Sequence, residues 1–143
     1  MNRSDFFKSH SSIFSFPIIK YQKSSLSEEE KDIILAKIRK EMEVNRYFTN
    51  NLASLSGLAK QLNESPHHVS QVINEKMSRN FFDMLASFRV EYAKKLICDD
   101  KEMKLTIEEL AEQTGYNSKS SFNIAFRKFT SKTPSEYRKS PAG

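Results

Sequence analysis

The amino-acid sequence predicts an all-α protein in which two similar helix pairs are joined by a long helix. Three observations lead to this prediction. Gly and Pro are rare, with three and four among 143 residues, so few positions interrupt a helix. Apolar residues recur at helical spacing through most of the chain. One pattern, a short helix containing Leu-Ala, a turn and a second helix, occurs twice.

The cysteine content and the apolar runs exclude several classes of protein. Cys98 is the only cysteine, which rules out an internal disulfide, a thiolate zinc cluster and a two-cysteine redox motif. Its place at the end of an amphipathic helix favours inert packing over a role as a nucleophile. No apolar run approaches the roughly 20 residues of a membrane span, and no signal peptide is found. We expect a cytoplasmic protein with no catalytic residue, metal site or cofactor.

The first 50 residues predict a tail and one leading helix. Residues 1–26 show no helical period and are expected to form a tail or linker. Residues 27–50 are expected to hold the leading helix and its connection. Ser27 and Glu30 match a capping box, in which a Ser hydroxyl accepts from the third helical amide and the Glu reaches back, so a helix should run to about Arg46. Its predicted buried stripe is Ile34, Leu35, Ile38 and Met42.

Residues 51–79 are expected to form the first helix pair. A short helix is predicted from about Leu55 to Leu62. Ser65 and Pro66 then provide an N-cap with proline at the first helical position, and the second helix should run from there to about Lys76.

Residues 80–98 are expected to form the joining helix, which would be about 28 Å long at 1.5 Å per residue. Its predicted apolar stripe is Phe81, Leu85, Phe88, Tyr92 and Leu96.

Residues 99–143 are expected to form the second helix pair. Thr106 and Glu109 form another capping box, so a helix should begin at Ile107 and end where Gly115 breaks it. The two helices expected after it run from about Lys119 to Phe129 and from Thr133-Pro134 to about Arg138.

The two helix pairs share one plan. Leu58 and Ala59 correspond to Leu110 and Ala111, and the apolar triplet of the second helix is Val69, Val72 and Ile73 in one copy and Phe122, Ala125 and Phe126 in the other. A small Ala lets the second helix cross closely over the first. The three apolar residues fix that second helix while its opposite side stays free. This is the logic of a helix-turn-helix unit, whose second helix is the recognition helix.

Polar side chains are predicted on the free side of each recognition helix. At 100° per residue, the residues expected to contact base edges are His67, Ser70, Gln71 and Asn74 in the first copy and Lys119, Ser120, Asn123 and Ile124 in the second. The stretch 118–139 holds six basic residues against one acidic residue, which equals the whole net charge of +5. The residues expected to contact phosphates are Ser121, Arg127, Lys128 and Arg138. The sequence therefore predicts specific binding of double-stranded DNA by two recognition helices in successive major grooves.

Three other interpretations compete with this one. His67 and His68 could bind zinc, but adjacent helical residues point about 100° apart and no third ligand lies nearby in the sequence. A helical protein-interaction module of a larger signalling protein would use the same faces, and the concentrated basic charge argues against it. An enzyme such as a DNA-repair methyltransferase with Cys98 as the acceptor is the third alternative.

From about Leu55 to Lys139 the chain resembles the DNA-binding domain of the AraC/XylS family of transcription regulators. The residues that carry the resemblance are Ile107, Leu110, Ala111, Gly115-Tyr116, Ser121-Phe122, Phe126-Arg127-Lys128, Thr133-Pro134 and Tyr137-Arg138, with Phe82, Leu85, Arg89, Ala93 and Leu96 in the joining helix. The chain departs from the family at Ser131 and near Ser78, where glycine is usual. Serine can take the left-handed backbone needed there at a cost of about 1 kcal/mol.

The resemblance has further implications. It implies transcription regulation without catalysis, with RNA polymerase as a partner at the promoter. It gives Arg89 a role in structure or in contacting the phosphate backbone. Residues 20–50 are similar to the segment that precedes this domain in larger regulators, including membrane-anchored sensors. At 143 residues the chain has no room for a further sensor domain, so we expect the C-terminal output fragment of a longer protein, with a sensor domain upstream.

Overall fold

The computed structural model describes residues 26–140, and the predicted tail lies outside this range except for its last residue. Within the described range all regular secondary structure is helical. The α-helices are α1 (Glu28–Glu43), α2 (Leu55–Leu62), α3 (Pro66–Met77), α4 (Phe81–Asp99), α5 (Ile107–Gln113), α6 (Lys119–Thr130) and α7 (Pro134–Lys139). A short 3-10 helix, Tyr47–Thr49, lies between α1 and α2. The all-α prediction, with two helix-turn-helix units and a joining helix, is confirmed.

Local sequence signals set the starts of the helices. The capping boxes predicted at Ser27 and Thr106 are both formed, and Thr133 with Glu136 forms a third. Ser65 caps α3 by accepting from the amide of His68, and Pro66 follows as its first residue. Each cap satisfies a backbone donor that the helix itself cannot.

The leading helix ends earlier than predicted. It stops at Glu43, because Arg46 takes a left-handed conformation with φ 53° and turns the chain into the 3-10 helix. That turn buries Tyr47 and Phe48 in the core. The burial of two aromatic rings outweighs the continuation of a solvated helix.

Two cores lie at the two ends of α4. The first core is formed by α1, the 3-10 helix, α2, α3 and the start of α4, where Phe81, Met84 and Leu85 are buried. The second core is formed by α5, α6, α7 and the later part of α4, where Ala93 and Ile97 are buried. Each helix pair therefore has its own hydrophobic core, and α4 contributes residues to both cores.

The predicted stripe of α4 is only partly correct. Phe88 and Tyr92 are half-buried, because they pack on Phe48 of the 3-10 helix, with ring centroids 6.0 and 5.6 Å apart. Val90, which was absent from the predicted stripe, is buried in the second core instead. A helix that serves two cores buries residues on more than one side.

The turns after both recognition helices have a left-handed serine where the resemblance led us to expect glycine. Ser78 and Ser131 cap α3 and α6 with left-handed φ values of 55° and 64°. The departure at these positions thus changes the residue and leaves the turn intact. Within the described range, no helix is long and apolar enough to span a bilayer.

Candidate nucleic-acid interface

The second recognition helix, α6, is fixed on its inner side by aromatic residues. Phe122 and Phe126 are completely buried, with their rings 5.7 Å apart. Tyr116 lies against Phe122 and Tyr137 against Phe126, at 5.8 and 5.4 Å. The helix begins at the N-cap Ser118, whose hydroxyl accepts from the amide of Ser121. Because its inner side is tightly packed, α6 cannot rotate, and the residues on its outer side keep one orientation.

The outer side of α6 is open. Six of its twelve residues are exposed, namely Lys119, Ser120, Ser121, Ile124, Arg127 and Lys128, and Asn123 is half-buried beside them. The side chain of Ile124 is 70% exposed. The structure therefore brings all four residues predicted for base contacts on this helix to one accessible surface, with three of the four predicted for phosphate contacts.

Two lysines at this surface form exposed ion pairs. Lys119 lies 3.1 Å from a carboxylate oxygen of Glu108, and Lys128 lies 2.9 Å from one of Asp83 at the start of α4. A backbone hydrogen bond lowers the pKa of Glu108, and the ammonium of Lys119 lowers it further. Exposed pairs of this kind contribute about 0–1 kcal/mol, so a phosphate can replace the carboxylate at little cost.

Arg138, the fourth residue predicted to contact phosphate, is engaged inside the protein. Its Nη2 atom donates to the carbonyl oxygen of Leu105 at 2.6 Å, and the side chain is half-buried. The guanidinium thereby holds the segment that leads into α5. Arginine has five N–H donors, so a phosphate contact would have to use those not directed at Leu105.

The first recognition helix, α3, is fixed in the same way but is much less open. Val69, Val72 and Ile73 are completely buried, as the repeat predicts. Of its twelve residues only Pro66 is exposed. The residues predicted to contact bases are half-buried at three positions, His67, Ser70 and Asn74.

Gln71 does not occupy the exposed position that the helical projection predicts. Its side chain is 2% exposed, and Nε2 donates to Glu75 at 3.1 Å. Its Oε1 atom is buried and accepts no hydrogen bond from the described residues. The projection considers α3 alone, whereas α1 lies alongside it and Lys31 pairs with Glu75 at 2.8 Å. A base contact by Gln71 therefore requires its amide to leave Glu75.

Acidic residues of α1 lie beside α3, a feature absent from the sequence predictions. Lys76 pairs with Glu28 at 2.8 Å and with Asp32 at 3.3 Å. Hydrogen bonds from Lys76 and Lys31 lower the pKa of Glu28 from 4.5 to about 2. Three consecutive glutamates begin α1, and only a tertiary contact shows that this acidic turn lies next to a recognition helix.

Two further basic residues adjoin the recognition helices. Lys76, near the end of α3, pairs with acidic residues of α1. Arg79 lies in the turn after α3, and its guanidinium is 6.0 Å from the ring of Phe129 near the end of α6. The sequence predictions included neither residue as a DNA contact, because both lie outside the helix faces that the projection places opposite the core. Their position beside the helix ends is the signal that would have found them.

The two histidines considered as zinc ligands are neighbours in the first turn of α3. The rings of His67 and His68 are 6.0 Å apart, and residues 26–140 hold no cluster of three or more His, Cys, Asp or Glu residues that could bind a metal. Among the residues predicted to contact bases, Asn74 donates to the carbonyl oxygen of Ser70 at 2.8 Å.

The packing expected for Cys98 is wrong, since its side chain is exposed at the end of α4. An exposed thiol reacts with alkylating agents whatever its function.

Comparisons with known proteins agree on one family. A sequence profile described as a helix-turn-helix domain matches residues 58–140. An uncharacterized HTH-type transcriptional regulator of Staphylococcus aureus (strain COL) is 35% identical over 85 residues, which are 59% of this chain and 11% of that protein. The chain thus spans about a tenth of that relative's length.

Solved structures share the architecture. The C-terminal domain of AraT, a response regulator from Geobacillus stearothermophilus, superposes with a TM-score of 0.63 at 29% identity, covering 81% of this chain and 88% of that one. A transcriptional regulator from Chromobacterium violaceum, described by its AraC-type DNA-binding domain, has the same fold, with a TM-score of 0.62 at 16% identity over 76% and 94% of the two chains.

Proposed function

Because this chain belongs to the AraC-type helix-turn-helix family, we propose that it binds double-stranded DNA in a sequence-specific manner and regulates transcription. The observation that carries the proposal is the open outer side of α6, where Lys119, Ser120 and Arg127 are exposed on a helix whose inner side is fixed in the core. Hydroxyl and cationic donors on a rigid helix are suited to base edges and phosphates in a major groove.

The proposed contacts are of two kinds, those with bases and those with the phosphate backbone. The proposed base contacts come from His67, Ser70, Gln71 and Asn74 on α3 and from Lys119, Ser120, Asn123 and Ile124 on α6. The proposed phosphate contacts come from Ser121, Arg127, Lys128 and Arg138, and we add Lys76 and Arg79 because they lie at the end of α3 and in the turn after it. Phosphate contacts position the protein on the duplex, whereas base contacts select the sequence.

The joining helix suits two successive major grooves on one side of the duplex. At 19 residues, α4 is about 28 Å long, close to the roughly 34 Å of one turn of DNA. A rigid pair of helices at this separation requires the DNA to bend, at a cost on the order of 1 to 6 kcal/mol. One chain would then protect two regions one turn apart on an asymmetric site.

The wider role follows from the family. We propose that the bound domain positions or obstructs RNA polymerase at a promoter in the cytoplasm, under the control of a sensor domain upstream in a longer chain. The family relationship points to a regulator rather than to an enzyme. The exposed Cys98 has no part in this function.

Two lysines provide a matched test of the DNA surface. Lys128 and Lys95 are exposed to 61% and 66%, and each pairs with a carboxylate, but only Lys128 lies on the outer side of α6. After selection of a preferred site from random DNA at defined salt, affinity is measured from about 50 to 200 mM salt. Lys128→Ala should weaken binding to all sequences and flatten the slope of log K against log salt by about 0.9, while Lys95→Ala should change neither.

The same experiment separates DNA binding from a protein-interaction role. A chain that selects no sequence and shows no salt dependence would contradict the proposed function and favour the protein-interaction module. Equal effects of Lys128→Ala and Lys95→Ala would show that binding is nonspecific attraction to the net charge.

A further inference from the structure

Arg89, in the middle of α4, is tied to the first helix pair. The side chain is 9% exposed. Nε donates to the carbonyl oxygen of Phe48 at 2.7 Å and Nη2 donates to that of Asn50 at 3.0 Å. Both carbonyls belong to the segment around the 3-10 helix, and Phe48 is part of the first core with Val72 and Ile73 of α3. A planar guanidinium that donates two directed hydrogen bonds fixes this segment to α4.

The other face of the same guanidinium contacts the second helix pair. Its carbon lies 4.8 Å from the centre of the ring of Tyr116, in the turn between α5 and α6. Tyr116 packs on Phe122, a completely buried residue of α6. Arg89 therefore contacts both units, through Phe48, which shares a core with α3, and through Tyr116, which packs on α6.

Gly115 makes this close approach possible. Its φ of +101° is unfavourable for any residue with a side chain. A Cβ atom built there would overlap the carbonyl oxygen of Phe48 and lie 2.8 Å from Nε of Arg89. The turn of the second unit thus rests directly on the backbone of the first.

A second bridge lies at the surface beside the first. Asn51 donates through Nδ2 to Oδ1 of Asn117 at 2.7 Å. Asn117 directly precedes Ser118, the N-cap of α6. This bridge and Arg89 therefore both join the two units, in addition to their shared helix α4 and the contact of Arg79 with Phe129.

We propose that these contacts, which we call the Arg89 joint (Phe48, Arg89, Gly115, Tyr116, with Asn51 and Asn117), set the spacing between the two DNA half-sites that the chain accepts. The proposal rests on the proposed function. One extra base pair moves a half-site by about 3.4 Å and turns it by about 35° around the duplex. A joint that holds α3 and α6 in one arrangement cannot follow that movement, so Arg89 acts as a positioning residue that selects spacing without contacting DNA.

The first experiment measures the joint without DNA. Lys60 and Glu112 occupy equivalent exposed positions on α2 and α5, so spin labels on Lys60→Cys and Glu112→Cys, in a Cys98→Ser background, report the separation of the units. The otherwise unchanged chain should give one narrow distance distribution. Arg89→Lys should broaden it, because one ammonium replaces the two-carbonyl fork and the ring contact. An unchanged narrow distribution in Arg89→Lys would overturn the joint, whatever the result with DNA.

The second experiment measures spacing on the selected site, using duplexes in which the two half-sites are moved apart or together by one base pair. The wild type should lose about tenfold or more in affinity at either neighbouring spacing, while Arg89→Lys should lose less than about threefold and keep its affinity for each isolated half-site. The proposal would be refuted if the wild type bound the three spacings with equal affinity, or if affinity depended on spacing in the same way in the wild type and Arg89→Lys. A wild type that binds no DNA would refute the proposed function, and the label distances would still test the joint.

A surface pair of asparagines keeps the test independent of folding defects. Asn51→Ala removes the outer bridge at an exposed side chain and should broaden both the distance distribution and the spacing profile, though less than Arg89→Lys. Asn45→Ala is the matched control, because Asn45, just after α1, is also exposed and its side chain donates to a residue of the same unit, Glu41, at 3.0 Å. If Arg89→Lys does not fold, identical results for Asn51→Ala and Asn45→Ala would refute the role of the outer bridge and with it the proposed joint.

Discussion

The two recognition helices, α3 and α6, are built on one plan but differ in how much of their outer sides they present. Six residues of α6 are exposed and only Pro66 of α3 is. The inner sides are equivalent, since both helices have three apolar residues at the same spacing against their own core. The difference lies in how closely a neighbouring helix packs. Pairing with α1 leaves the side chain of Lys76 on α3 25% exposed, whereas pairing with α4 leaves that of Lys128 on α6 61% exposed.

The comparison shows that the two copies share the way in which the recognition helix is fixed but differ in how accessible that helix is. Fixing a recognition helix takes a core, which each copy carries within itself. Access to the recognition helix depends on how closely its neighbour packs, and this differs between α1 beside α3 and α4 beside α6. We therefore expect α6 to be ready for DNA, whereas α3 requires a rearrangement of side chains before it can contact bases.

The largest expected effect tests the equivalence of the inner sides. Phe122→Ala should lower the free energy of unfolding by about 3–5 kcal/mol and Ile73→Ala by about 2–5 kcal/mol, since both remove completely buried side chains. Urea unfolding measures both losses. Ile124→Ala, on the exposed side of α6, is the control and should stay within about 0.5 kcal/mol of wild type. A small loss for either buried residue would mean that its copy is not fixed by its own core.

Base contacts should distinguish the open helix from the covered one. Asn123→Ala should reduce discrimination at one base pair by about 1–3 kcal/mol. Gln71→Met should relax the preference at a different base pair and also raise the free energy of unfolding by up to about 1 kcal/mol, because it removes a buried carbonyl oxygen that lacks a donor. Selection on random DNA and urea unfolding check the two effects. Unaltered base preference in Gln71→Met would show that this amide stays with Glu75 in the complex.

Ile124 offers a smaller test of the open surface. If its side chain packs on the C5-methyl group of a thymine, Ile124→Ala should cost on the order of 1 kcal/mol on the preferred site. Replacing that thymine by uracil should cost the wild type a similar amount and the variant almost nothing. Ile33 on α1, also exposed at 57%, is the control position for alanine. Equal binding of thymine and uracil sites by the wild type would leave Ile124 as an ordinary exposed aliphatic residue.

The smallest expected effect concerns the acidic residues that lie beside α3. The double substitution Glu28→Gln and Asp32→Asn should free Lys76 and raise DNA affinity by a few-fold, because exposed pairs contribute about 0.2–1 kcal/mol each and their charges repel phosphate. Glu29→Gln, in the same exposed first turn, removes one negative charge where the double substitution removes two, and should have less than half of its effect. An effect of half would mean that only net charge matters.

The pH dependence of this contact has a defined direction. The pKa of Glu28 is lowered from 4.5 to about 2, so its contribution to stability is complete above pH 4.5 and is lost as the pH falls toward 2. Glu28→Gln should abolish that part of the acid dependence in urea unfolding. A wild-type and a variant profile of the same shape would show that the pairing with Lys76 and Lys31 does not stabilise the fold.

The sequence by itself determined the helices and the inner sides of the recognition helices. A capping box such as that of Thr106 and Glu109 joins residues three apart, and the apolar triplet of each recognition helix lies within five residues. The exposure of Ile124 was predictable for the same reason, since nothing distant packs on that side of α6. Local rules succeed wherever the physical cause is local.

Only the tertiary structure decided the features that depend on contacts distant in the sequence. Gln71 is buried although its own helix would expose it, and Arg138 is directed at Leu105, 33 residues away. Arg89 joins carbonyls of residues 48 and 50 to the ring of Tyr116, which no periodicity encodes. A helical projection carries no information about neighbouring elements, and burial and hydrogen bonding at these positions are set by those neighbours.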